Sequence, residues 1–202
     1  MTAETDSDIA IKDAPEKRVR PDAQRSVDAL LAAAKTVFAT SGVDAPVREI
    51  AEKAGVGIGT VYRHFPQRSD LVAAVFKREI DECANAAAVL AAQYEPFEAL
   101  VKWFDRYVGF IATKRGLAAA LHAGGVAYEG LPAHRNQRLV PALDGLLDRA
   151  VAAGEVRPGV NAYDLLNAIG SLYMNVRDER AAESAARMVA LLIDGLRYSA
   201  KG

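Results

Sequence analysis

Residues 47–71, VREIAEKAGVGIGTVYRHFPQRSDL, decide how this chain is read. Two short apolar-periodic segments flank Gly55-Val56-Gly57. In the first, Val47, Ile50, Ala51 and Ala54 form one stripe, and Pro46 suits the first position of that helix. The second, 58–64, is short. At 100° per residue, Val61 and Phe65 point one way, with Ile58 and Tyr62 near that edge. Gly59, Thr60 and Arg63 point the opposite way, and His64 lies on the flank. The outward face is therefore polar and small enough for close approach to a groove, and Arg68 follows one turn later. Two short helices at an angle, the second rich in phosphate-seeking and base-edge-seeking side chains, are how a helix-turn-helix enters a DNA major groove.

Working outward, the periodicity predicts helices everywhere. A first helix over 22–40 carries Val27, Leu30, Leu31, Ala34, Val37 and Phe38 at i, i+3, i+4, i+7 spacing, and Gly42 stops it. Pro66 ends the short recognition segment. A fourth helix starts near 67–69 and runs to about residue 93. Pro96 opens a fifth and Gly116 closes it. A short segment over 117–123 precedes Gly124-Gly125, and a long helix from the Gly130-Leu131-Pro132 turn to residue 153 is kinked or split by Pro141. Asn161 caps a helix over 161–176, and the last spans 181–199. No strand pattern and no internal repeat is present. The expectation is an all-α protein of about nine helices: a disordered arm over 1–20, a three-helix helix-turn-helix domain over 21–80, and a larger helical domain over 81–202. Lys17, Arg18 and Arg20 adjoin the first helix, where they either reach a neighbouring groove or stay solvated.

Composition agrees. Of the 202 residues, 51% are apolar, Ala and Leu abound and β-branched runs are scarce, which favours helix and permits a substantial core. Net charge is −1, unlike a protein that coats nucleic acid. Its distribution is uneven: residues 1–16 sum to −4, residues 17–80 to +4 and residues 81–202 to −1. The positive region coincides with the suspected reader. Cys83 is the only cysteine, so no intrachain disulfide forms; it reads as a small buried residue in a cytosolic setting. No signal-peptide pattern and no membrane-length apolar run is present, so the expected location is the cytoplasm, with nucleoid association on binding DNA.

Residues 24–80 resemble the DNA-binding domain of the TetR family of bacterial transcriptional regulators. The resemblance rests on Ala34 and Phe38, Gly42, Val47-Arg48-Glu49-Ile50-Ala51, Ala54-Gly55-Val56, Gly59-Thr60-Val61-Tyr62-Arg63-His64-Phe65, Arg68 and Leu71. It implies that Thr60 and Arg63 face base edges or adjacent backbone, beside Gly59. It also implies that Tyr62 and His64 hold phosphates from either side, that Arg68 and the fourth helix's N-terminus hold another, and that Arg48 reaches a base or phosphate. Two departures stand out. Gly57 replaces a capping Ser or Thr, and Ala45-Pro46 replaces threonines, leaving Pro46 or Asp44 to start the second helix.

The family's second domain usually holds a ligand cavity. Trp103, Phe104, Tyr107, Phe110, His122, Tyr128 and Tyr173 are aromatic candidates to line it, with His122 or Arg138 as polar anchor. The same residues also read as ordinary core. Leu172, Val176, Met188, Leu191, Leu192 and Leu196 exceed what one subunit easily covers and predict a homodimeric four-helix bundle. No nucleophile–base pair, cofactor motif or metal-ligand spacing is present. The expected function is a non-enzymatic regulator, a repressor released from a palindromic double-stranded operator by an apolar or aromatic small molecule. The alternatives are an activator, a ligand-independent regulator, or a helical small-molecule-binding protein or enzyme.

Overall fold

The structure, a computed structural model, describes residues 19–113, 126–174 and 176–197. Among the described residues there are eight α-helices, one 3-10 turn and no strand. The helices are α1 Val19–Ser41, α2 Val47–Ala54, α3 Ile58–His64, α4 Arg68–Gln93, α5 Pro96–Thr113, α6 Leu131–Ala152, α7 Ala162–Met174 and α8 Glu179–Leu196; the 3-10 turn, Val126–Tyr128, precedes α6. The all-α expectation holds. The basic arm up to residue 18, Gly116, the short segment over 117–123 with His122, and Gly124-Gly125 lie outside the described residues.

Local chemistry sets the helix ends. Gly42 stops α1 at φ 77°, a left-handed backbone that a side chain resists. Asn161 Oδ1 accepts the Asp164 N–H at 3.0 Å, and Asp178 Oδ1 accepts that of Ala181 at 2.8 Å. The second cap moves the start of α8 to Glu179, ahead of the expected 181. Pro46 stands one position earlier than expected: its extended ψ of 134° makes it the residue before α2, which starts without a side-chain cap. Pro141 does not split α6, which runs unbroken from Leu131 to Ala152. Pro141 is exposed, as is Gln137, whose carbonyl loses its usual N–H donor there. Water can take the place of that bond.

Two apolar cores share one helix. Leu71 and Val75 of α4 join Leu30, Ala34, Ile50, Ala51 and Val61 in the N-terminal core. Val72, Phe76 and Ile80, one residue on at each turn, join Leu100, Trp103, Phe104, Leu139, Leu143 and Leu166 in the larger one. The expected domain boundary at 80/81 therefore falls inside α4. Charge pairs tie α1 to the same helix: Lys35 Nζ lies 2.5 Å from Glu79 Oε1 and Arg78 Nη1 2.9 Å from Asp28 Oδ1. Burial works against the Glu82 carboxylate, but the Arg78 hydrogen bond and the Lys35 charge outweigh it and hold its pKa below the ordinary value. Among the described residues, no helix is long and apolar enough to cross a membrane.

Candidate functional site

The turn between α2 and α3 is built from backbone. The Val56 N–H reaches Ala51 O at 3.0 Å and the Gly55 N–H reaches Glu52 O at 3.1 Å. These paired bonds close the end of α2 as a Schellman motif, with Gly55 left-handed at φ 68°. Gly57 precedes α3 in extended conformation without a side-chain cap. Val61, 1% exposed, anchors α3 to the N-terminal core, and Phe65 packs beside it. That anchoring decides which side chains face out.

Tyr62 is 51% exposed, Arg63 and Gly59 are exposed, and Thr60 and His64 are half-buried. A Cβ added to Gly59 would meet nothing within 4 Å. No packing among the described residues requires glycine there, although glycine weakens a helix. Arg48, on α2, is exposed and pairs with Glu52 one turn ahead, Nε to Oε1 at 3.2 Å. An exposed pair of this kind is worth little.

Arg68 holds a more committed position. Its Nη1 donates to the carbonyls of Val43 at 2.5 Å and Ala45 at 2.7 Å, pinning the α1–α2 turn onto the start of α4. At the same helix end the Asp70 carboxylate accepts the Gln67 N–H at 2.9 Å. The sequence offers no sign of the tie, since Arg68 and its acceptors lie 23 and 25 residues apart.

In the second domain the expected aromatic stripe is interior packing. Trp103 is 0% exposed, Phe104 and Tyr107 are 1%, and Phe110 and Tyr173 are 5%. Trp103 stacks on Tyr107 with 5.6 Å between centroids, and its Nε1–H donates to Cys83 O at 2.9 Å. Tyr107 Oη donates to Leu166 O at 2.9 Å. Burial raises the Tyr107 pKa, with Arg135 opposing, so the phenol stays neutral. Of these side chains Phe110 borders an open cleft, beside Cys83 and Arg106. A cavity of about 360 Å³ is lined by Phe76 and Ile80 of α4, Tyr128, Leu131, Pro132, Arg135 and Asn136 around the start of α6, and Tyr163 of α7.

The polar groups of α6 divide into two sets. Arg138, the anchor expected from sequence, lies against acid: Nε to Asp81 Oδ1 at 2.7 Å, with Nη2 on Asn85 Oδ1 at 2.8 Å. His134 Nε2 shares the same Asp81 oxygen at 3.0 Å. Arg135, not singled out in the sequence, is the arginine on the cavity wall. On α8, Leu191 is 65% and Met188 45% exposed. Leu172 and Leu192 are half-buried, whereas Val176 at 7% and Leu196 at 3% belong to the core of this single chain.

Comparison with known proteins agrees with this geometry. The family described as "Bacterial regulatory proteins, tetR family" matches residues 30–75, and "Transcriptional regulator SbtR-like, C-terminal domain" matches residues 95–198. A TetR transcriptional regulator of Streptomyces coelicolor is 34% identical, with 86% of this chain and 99% of that chain covered at a TM-score of 0.71. A TetR regulatory protein of Mycobacterium vanbaalenii is 35% identical, with 89% and 99% covered at a TM-score of 0.68. An HTH-type transcriptional regulator of Staphylococcus aureus is 28% identical over 108 residues, 52% of this chain and 58% of that protein. The chain thus spans little more than half the length of the curated relatives it matches. With a helix-turn-helix of this geometry at its N-terminus and matches over both halves, the chain belongs to the TetR family of bacterial transcriptional regulators.

Proposed function

We propose that the protein is a homodimeric repressor that holds a palindromic operator through paired α3 helices and lets go when a small molecule enters the second domain. The observation that carries this reading is the outward face of α3: exposed Gly59 and Arg63, with Thr60 and Tyr62 beside them, on a helix anchored by buried Val61. Arg63 and Thr60 read base edges. Tyr62 and His64 hold flanking phosphates, and Arg48 exchanges Glu52 for another. Arg68 approaches the backbone while keeping its turn carbonyls. Phosphate contacts fix the register and base contacts supply the sequence preference.

Dimerisation rests on the apolar stripe that α8 leaves uncovered, Met188 and Leu191, continued by half-buried Leu192 and by Leu172 on α7. Val176 and Leu196 support that surface from behind. The buried stripe of Trp103, Phe104 and Tyr107 backs the effector site and reports on it, and the cavity beside α4 receives the ligand. Because Phe76 and Ile80 share α4 with Leu71 and Val75, occupancy there bears on how α3 is held.

The test is footprinting on DNA flanking the protein's own gene, with affinity followed against salt. The expected result is a protected palindrome, sequence preference, and a log–log salt slope of about −0.9 per phosphate neutralised. Steep salt dependence without sequence preference, or no binding, overturns the reading.

A further inference from the structure

We propose that the cavity between α4, α6 and α7 takes an organic carboxylate with an apolar body, and that Arg135 selects for its charge. This rests on the reading above in which a small molecule controls DNA binding, and it names the chemical class of that molecule. Phe76, Ile80, Tyr128 and Tyr163 give the walls apolar and aromatic character, and the volume of about 360 Å³ suits a small ligand. Arg135 and Asn136 supply the polar groups on that wall.

The charge balance around Arg135 points to an anion. Its guanidinium is half-buried, and each of its partners is neutral: Asn136 Oδ1 at 3.1 Å, Asn167 Oδ1 at 3.2 Å and Tyr107 Oη at 2.9 Å. Among the described residues, no carboxylate is within ion-pair distance of it. The contrast with Arg138, one turn on and set against Asp81, shows that the fold places acid beside one arginine and not the other. A partly desolvated cation with neutral partners is an unsettled charge, and a planar carboxylate matches the guanidinium fork. The first turn of α6 also borders the cavity, so the positive end of that helix favours the same sign. Tyr107 and the two asparagine oxygens hold the guanidinium in place, leaving its orientation fixed before a ligand arrives.

The test uses the full chain and three acids, 3-phenylpropionate, octanoate and indole-3-acetate, each beside its primary amide. Calorimetry measures binding without DNA, and fluorescence of Trp103, the only tryptophan, reports through its stack on Tyr107. At least one acid should bind wild type about tenfold or more tighter than its amide, a difference of about 1.4 kcal/mol. That preference should vanish in Arg135→Met and be partly kept in Arg135→Lys. The acid–amide comparison needs no variant, so poor folding of Arg135→Met leaves the question answerable. The proposal is overturned if amides bind as tightly as acids, if no acid binds, or if Arg135→Met keeps the preference. Operator binding is measured separately without ligand. Loss of that binding refutes the regulator reading, whereas loss of acid binding refutes only the carboxylate.

Discussion

Replacing Gly59 with alanine should make the protein more stable and a worse reader of DNA. Glycine within a helix costs roughly 0.5–1 kcal/mol relative to alanine. Gly59 has an ordinary negative φ, and a Cβ at that position meets nothing within 4 Å, so the gain is not offset by strain. For a chain of 202 residues, 1 kcal/mol moves the melting temperature by about 2–4 °C; because the second helical position gains less than an interior one, about 1–3 °C is expected. The same methyl lies on the face assigned to the groove. Overpacking a close-fitted contact costs about 1–3 kcal/mol, or roughly 5- to 150-fold in affinity per reader. Gly145→Ala is the control: Gly145 is exposed within α6, equally uncrowded, and distant from α3 in the chain. It should raise the melting temperature similarly and leave operator affinity unchanged. Differential scanning fluorimetry and fluorescence anisotropy on operator DNA give both numbers. Unchanged operator affinity in Gly59→Ala, or equal losses in the two variants, would refute the placement of that face against DNA.

Other expectations follow from the same geometry. Arg68→Ala should lower stability by about 1–2 kcal/mol, because two turn carbonyls lose a charged donor; an unchanged melting temperature would remove its structural role and leave only a DNA contact. Leu191→Glu places charge on the most exposed large apolar side chain of α8, and sedimentation should show monomers that no longer bind the operator; a stable dimer would move the interface elsewhere. The α1–α4 tie should weaken in acid. Since the Glu82 pKa is lowered in the fold, its contribution is complete above the unfolded value of about 4.3 and is lost as pH falls through the native one. Glu82→Gln should flatten stability against pH in that window, and an unchanged slope would refute the assignment.

The recognition segment was legible because it is local. Val61 and Phe65 set one side of α3 by helical spacing alone, and Gly55 and Pro66 mark its limits. Among the described residues the order of the helices followed from the same signals, with differences at two places: Asp178 starts α8 early, and Pro141 does not split α6, where it and Gln137, whose carbonyl loses its donor, are exposed. What lay beyond reach was decided between elements. An aromatic run at helical spacing is more often core than pocket but does not decide between them, and only the packing of α4, α6 and α7 shows that Trp103 and Tyr107 are covered. No acid stands three or four residues from either Arg135 or Arg138, so sequence cannot say which is neutralised. Asp81, far upstream on α4, settles it. Six apolar residues pointed to one dimer face, but Val176 and Leu196 turned inward.

The sharing of α4 by two cores bears on how such a regulator can be rebuilt. Leu71 and Val75 seat the reading head, while Val72, Phe76 and Ile80 wall the other core, all within ten residues of one rod. There is no hinge peptide at which to cut. A hybrid spliced at 80/81 would join one protein's half-helix to another's and mismatch the faces on both sides of the seam. Neither core can melt without stripping a wall from its neighbour, so heating should give one transition for the whole chain. If Thr60 and Arg63 read bases as proposed, exchanging those two side chains should change operator preference with less damage to the fold than exchanging modules.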